Sequence, residues 1–183
     1  MAAVAASEAV APREAGKHMS TPRLLRHLFA TQRGTRQRFT DAVLAEIESA
    51  IRDVESRHSG EIRFVIETAL DPAELWRGVT PRERGAQLFS QLGVWDTQND
   101  NGVLIYVLLA DRDVEILADR GIAARVPQAQ WEQVCHEIER HYRDGRFGQG
   151  SVAGVLSVGK LLARHFPGTG GDADELPNQP VLL

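Results

Sequence analysis

The chain has 183 residues, 43 % of them apolar and 25 % charged, with a formal net charge of −4. That length allows one well-cored domain with loose ends, and the composition excludes fibrous, collagenous and wholly disordered classes. A single cysteine, Cys135, excludes an internal disulfide framework and any zinc site built on several thiolates.

Residues 1–19 are Ala-rich, lack a helical apolar stripe and read as a disordered leader. They have no basic n-region, and Glu8 interrupts their apolar run, which argues against a signal peptide. No run reaches the roughly eighteen apolar residues of a membrane span, so the expected location is the cytoplasm.

Residues 20–38 form a basic arm. No acid occurs between Glu14 and Asp41, and Lys17, Arg23, Arg26, Arg33, Arg36 and Arg38 give that window a charge of +6, leaving −10 for the remainder. Leu24, Leu25, Leu28 and Phe29 would share one face of a helix over residues 22–31. Such an arm suits an anionic membrane surface through Arg23, Arg26, Arg33, Arg36 and Arg38. Nucleic acid is disfavoured, because only Phe29 and Phe39 interleave with the cations. The plainer alternative is a helix packed on its own domain with solvated arginines.

The folded body runs from 39 to 167, and 168–183 reads as a flexible tail. Thr40 and Asp41 open a helix carrying Val43, Leu44, Ile47, Ile51 and Val54, which Gly60 ends. GEIRFVIE alternates as a strand, with Ile62, Phe64 and Ile66 on its more buried face. Asp71-Pro72 is a turn or helix start, and Thr80-Pro81-Arg82-Glu83 is a capping box with proline at the first helical position. After the polar loop WDTQNDNG, VLIYVLLA is apolar on both faces and reads as a central strand. Asp111-Arg112-Asp113 turns the chain into an edge strand with Val114, Ile116 and Ala118. Pro127 opens a helix with Trp131, Val134, Ile138 and Tyr142, on which Cys135 is a buried core residue. The last helix carries Val152, Val155, Leu156, Leu162 and Phe166, with Gly154 and Gly159 allowing close approach to a neighbour. The order predicts an α/β fold, a three-layer α/β/α sandwich with helices on both faces of a small mixed sheet. A right-handed crossover would join the first two strands in parallel.

No nucleophile elbow, P-loop, dinucleotide fingerprint or H-E-x-x-H motif is present. The strongest constellation is made of oxygen ligands. The loop before the central strand and the loop after its antiparallel neighbour should meet at one edge of the sheet. They would bring together Asp96, Asn99, Asp100, Asn101 and Asp119, an inventory that suits calcium and not zinc or copper. Asn and Asp are also ordinary loop formers, since they bond their own backbone. Asp71, Asp111 and Asp113 should gather at the opposite edge, where Asp111, Arg112 and Asp113 are the candidates for metal-assisted phosphoryl chemistry.

The run VWDTQNDNGVLIYVLLADRDVEILADRGI resembles the TPM domain. The match rests on Trp95, Asn101, Gly102, Val103, Leu104, Asp111, Arg112 and Gly121, with Tyr142, Gly145 and the closing helix downstream. The resemblance spans roughly residues 40–166 and is to the short bacterial branch without signal peptide or transmembrane tail. It implies an α/β/α sandwich and a calcium-binding, non-enzymatic interaction or assembly domain; the alternative it implies is an acid phosphatase. The family's glycine loop often reads Gly-x-Gly-Leu-Glu. Here Asp119-Arg120-Gly121-Ile122-Ala123 replaces the first glycine with an aspartate and the glutamate with an alanine. Asp119 adds an oxygen ligand where the glutamate is missing.

Overall fold

The computed structural model describes residues 21–168 and 175–183, so the leader expected over 1–19 lies outside the described residues. In chain order the elements are α1 (Thr21–Phe29), α2 (Gln32–Arg38), α3 (Asp41–Glu55), β1 (Glu61–Glu67), α4 (Pro72–Trp76), α5 (Pro81–Gln91), β2 (Gly102–Leu108), β3 (Asp113–Ala118), α6 (Arg120–Ala123), α7 (Gln128–Arg143), α8 (Phe147–His165) and β4 (Val181–Leu182). The sheet order is β3-β2-β1-β4. β1 runs parallel to β2, from Glu61 opposite Gly102 to Glu67 opposite Leu108, and β3 returns antiparallel along β2.

Helices cover both faces, each for a reason in the sequence. Ile62, Phe64 and Ile66 of β1 and Val103, Ile105 and Val107 of β2 point into one core with Ile47 and Ile51 of α3, Ile138 of α7 and Val155 and Leu162 of α8. The alternate residues Val65, Leu104, Tyr106 and Leu108 point the other way, against Leu75 of α4 and Leu88 of α5. Period-two alternation therefore splits β1 and β2 between two cores. This is the three-layer sandwich expected from the element order. Gly154 and Gly159 let α8 approach closely: a Cβ at Gly154 would meet Ile138 of α7, and one at Gly159 would lie 2.6 Å from Val54 of α3. Leu156, expected on the packed face of α8, is exposed instead, and Val158 takes that place.

The helix starts follow local chemistry. Asp71 caps α4 and Thr80 caps α5, each in a capping box with the glutamate three residues on. The tail differs from expectation. The sequence predicts a flexible tail over 168–183; within its described part, 175–183, Leu183 N–H donates to the Ile66 carbonyl at 2.8 Å and Thr68 N–H to the Leu183 carbonyl at 2.9 Å. The short strand β4 thus adds in parallel to the free edge of β1. A bare edge presents unpaired donors and acceptors that a few residues can satisfy, and two residues are too few to show a period. With β4 in place, all seven residues of β1 are buried, including Glu61, Arg63 and Glu67.

The arm also differs. Leu24, Leu25, Leu28 and Phe29 do share a face of α1, but that face is outward, at 41, 45, 70 and 75 % exposed. The helix is held by its opposite, basic face, where Arg23 and His27 are buried.

Candidate functional site

The amino-terminal edge of the sheet gathers the loop before β2 and the loop after β3. Asp119 N–H donates to the Gly102 carbonyl at 2.9 Å, which locks the two loops side by side. Asn101 is fully buried: its N–H donates to Thr97 Oγ1 at 3.0 Å and its Nδ2 to the Ser59 carbonyl. Its carbonyl accepts from Glu61 N–H at 3.1 Å. The remaining atom, Oδ1, is buried with no hydrogen-bond partner among the described residues.

Asp119 is also buried. Oδ1 accepts from the Arg120 N–H at 2.7 Å, while Oδ2 is buried with no partner among the described residues. Burial pushes this carboxyl above its ordinary range against the pull of the Arg120 N–H, and the negative charge of Asp100 adds to the rise. Asp100 has a left-handed backbone, φ 51°, and its carboxylate pairs with Arg120 at 3.2 Å. Gly121 is required here: a Cβ would fall 2.6 Å from the Asp100 carbonyl oxygen and 3.3 Å from that of Asn99.

Buried acceptors without donors are costly. Two such acceptors lie on adjoining loops, near the Asp100 carboxylate that pairs with Arg120. Hard oxygens of this kind are the ligand type that calcium takes. Asp96 and Asn99 have exposed side chains. Among the described residues, no group of three or more His, Cys, Asp or Glu side chains is placed to hold a metal ion. A cation here would rely on Asp119, Asn101 and Asp100 with backbone carbonyls. The structure adds a participant that sequence spacing could not reveal. Glu175, in the tail, accepts from Gln98 N–H at 2.9 Å and ties the tail to this loop.

The opposite edge is organised otherwise. Asp111, in the β2–β3 turn, is buried and accepts from Arg23 through Nε at 3.2 and 3.0 Å and Nη2 at 2.8 Å. Arg26 Nη2 reaches its Oδ1 at 3.3 Å, and His27 Nε2 lies 3.2 Å from the same oxygen. His27 Nδ1 accepts from Leu70 N–H at 3.0 Å, so Nε2 carries the proton and faces Asp111. Burial acts to raise the Asp111 pKa, but the bonds from His27 and Arg23 and the Arg23 charge outweigh it and hold the carboxyl well below its usual range. Asp71 does not join a cluster there; its carboxylate caps α4, accepting from Glu74 N–H at 2.8 Å. Asp111 is therefore a poor nucleophile candidate, since both of its oxygens are occupied.

Beside that turn, a cleft of about 460 Å³ opens at the carboxyl end of β2, where open α/β sheets tend to bind ligands. Arg38 of α2, Arg112 of the turn and Arg143 of α7 line it, with Asp113 and Glu139. Arg112 has φ 55°, a left-handed backbone that disfavours any residue with a Cβ. Arg38 stacks over Phe147 with its guanidinium carbon 5.1 Å from the ring centroid.

Comparison with known proteins agrees with this architecture. A family model described as the TPM domain matches residues 35–161. The NMR structure of the BA42 protein from the psychrophilic bacterium Bizionia argentinensis is similar at 34 % identity and a TM-score of 0.70, over 79 % of this chain and 94 % of that one. The N-terminal domain of a protein from P. gingivalis shares the fold at 24 % identity and a TM-score of 0.55, covering 70 % of this chain and 81 % of that one. The N-terminal domain of the cg2496 protein from Corynebacterium glutamicum does so at 16 % identity and a TM-score of 0.50, covering 67 and 73 %. No curated protein matches. With two thirds of its length matched by the family model, the chain belongs to the TPM domain family.

Proposed function

We propose that the protein is a non-enzymatic, calcium-binding interaction or assembly domain of the TPM type, acting in the cytoplasm. The observation that carries this reading is the pair of buried, unpartnered oxygens, Asn101 Oδ1 and Asp119 Oδ2, on adjoining loops. Bound calcium would supply positive charge to oxygens that have no donor, and no bond-making chemistry is needed of it. Asp119 and Asn101 would hold it, with Asp100 and the carbonyls facing Gly121 completing an oxygen shell. The response would be mechanical: the loop before β2 and the turn at Asp119 would be fixed together, presenting one ordered edge to a protein partner. Calcium titration followed by amide chemical shifts, with magnesium as control, tests the reading. Saturable shifts centred on 96–102 and 119–121 are expected; a flat response at millimolar calcium overturns it.

A second reading, metal-assisted phosphatase, is favoured by the three guanidinium groups around the cleft, which suit phosphoryl oxygens. Asp111 is spent on Arg23 and His27, so the acids left for that chemistry would be Asp113 and Glu139, which line the cleft. Hydrolysis of an aryl phosphate that persists unchanged in Arg112→Gly would remove this reading.

A further inference from the structure

The arm has its polarity inverted. On a helix, Arg23, Arg26 and His27 fall on one side and Leu24, Leu25, Leu28 and Phe29 on the other. An amphipathic helix beside a domain normally packs its apolar side inward. Here the basic side is inward, because buried Asp111 draws Arg23, Arg26 and His27 onto one carboxylate. Two further bonds fix the helix in place: Arg23 Nη2 donates to the Val79 carbonyl at 2.8 Å, and His27 Nδ1 accepts from Leu70 N–H at 3.0 Å. Four large apolar side chains are thereby held outward on a rigid mount, Leu28 and Phe29 at 70 and 75 % exposure. The segment between those two anchor points carries Trp76, itself 79 % exposed.

We propose that this helix is a docking surface for an anionic lipid membrane. Three features select that occupant. The face is the convex ridge of a nine-residue helix, which can sink into an interface without a complementary groove. Four side chains fall well short of the roughly 800 Å² per partner of a stable protein interface. The adjoining helix adds basic charge: Arg33, Arg36 and Arg38 on α2 are exposed, and the sequence holds no acid from 15 to 40. Leucine and phenylalanine enter the acyl boundary, exposed tryptophan suits the headgroup level, and arginines meet lipid phosphates. The ion cluster on Asp111 supplies orientation, so docking needs no unfolding of the domain. Arg23 is a mount and not a lipid contact, because its side chain is 1 % exposed.

The test is flotation of the full chain with phosphatidylcholine vesicles, with and without phosphatidylglycerol, alongside sedimentation velocity of the free protein. Binding is expected only with phosphatidylglycerol, weakening as salt rises. The paired change Leu28→Ser with Phe29→Ser should reduce partition roughly tenfold or more, since both groups leave the acyl boundary. Arg33→Glu with Arg36→Glu should reduce it as well, while far- and near-ultraviolet circular dichroism stay unchanged for both pairs. Trp76 fluorescence should shift to the blue on binding. No flotation at low salt, or flotation indifferent to Leu28→Ser with Phe29→Ser, overturns the proposal. So does a self-associated species that the same pair dissolves, which would assign the face to a second copy of this chain.

Discussion

Two aspartates at opposite ends of β3 invite comparison. Asp111 precedes the strand and Asp119 follows it, and both are buried. Asp111 has two arginines and a histidine on its oxygens, and its pKa is held down. Asp119 has one backbone N–H, one oxygen without a partner and a second carboxylate nearby, and its pKa is pushed up. The same residue type, similarly buried, is thus fully paired at one edge and, among the described residues, half-paired at the other. Burial alone does not say whether an acid's oxygens are satisfied; the count of donors around each oxygen does.

The largest effect should come from removing the satisfied acid. Asp111→Ala leaves Arg23 buried without its counter-charge and should cost about 3–5 kcal/mol in urea unfolding. Asp119→Ala, which loses only a cap on a short helix, should cost about 1 kcal/mol. Equal losses would mean that the two edges are not different in kind.

Acid is the next probe. Burial holds His58 neutral and lowers its pKa from 6.5 to about 4. Between those values the unfolded chain binds more protons at this position than the native one, so stability falls as pH falls through that window. The loss is complete below about pH 4, on the order of 3 kcal/mol. Asp111, with its pKa depressed, contributes stability above its unfolded pKa and loses it at still lower pH. Asp119 works in the opposite sense: its raised pKa costs stability as pH rises through it. His58→Gln should flatten the window between pH 6.5 and 4 and leave the lower limb, which a pH series of chemical melts would resolve.

Gly121→Ala would press a Cβ onto the Asp100 carbonyl, 2.6 Å away, and should cost about 1–3 kcal/mol while displacing the loop. The smallest change should be at the other edge. Arg112→Gly relieves a left-handed backbone and should raise stability by about 0.5 kcal/mol, less than the strain released because glycine also loosens the unfolded chain. A loss of stability there would show that the guanidinium holds the turn together.

The sequence made the three-layer fold readable because its signals were local and mutually consistent. The Asp71-Pro72 start, the capping box at Thr80, the doubly apolar run from Val103 and the glycines of the last helix each specify an element or a contact without help from elsewhere. The amino-edge loops could also be brought together on paper, since antiparallel pairing fixes where Asp119 lies relative to Gly102. What escaped was long-range. Arg23 and Asp111 are 88 positions apart, and only three-dimensional packing makes a basic helix face the buried one. β4 joins β1 with Val65 opposite Val181 and too few residues to carry a period, and Glu175 reaches Gln98 across 77 positions. The unpartnered oxygens were illegible for a related reason: a spacing rule names ligands but cannot say which already have donors.

Whether Asp119 belongs to the cation site proposed for it is decided by thermal melts of the native chain and Asp119→Asn, each with calcium, with magnesium and with chelator. The native chain should gain melting temperature with calcium in a saturable way, and Asp119→Asn should not. Identical melts of the native chain in calcium and chelator would contradict the claim, as would a calcium-induced gain that survives in Asp119→Asn.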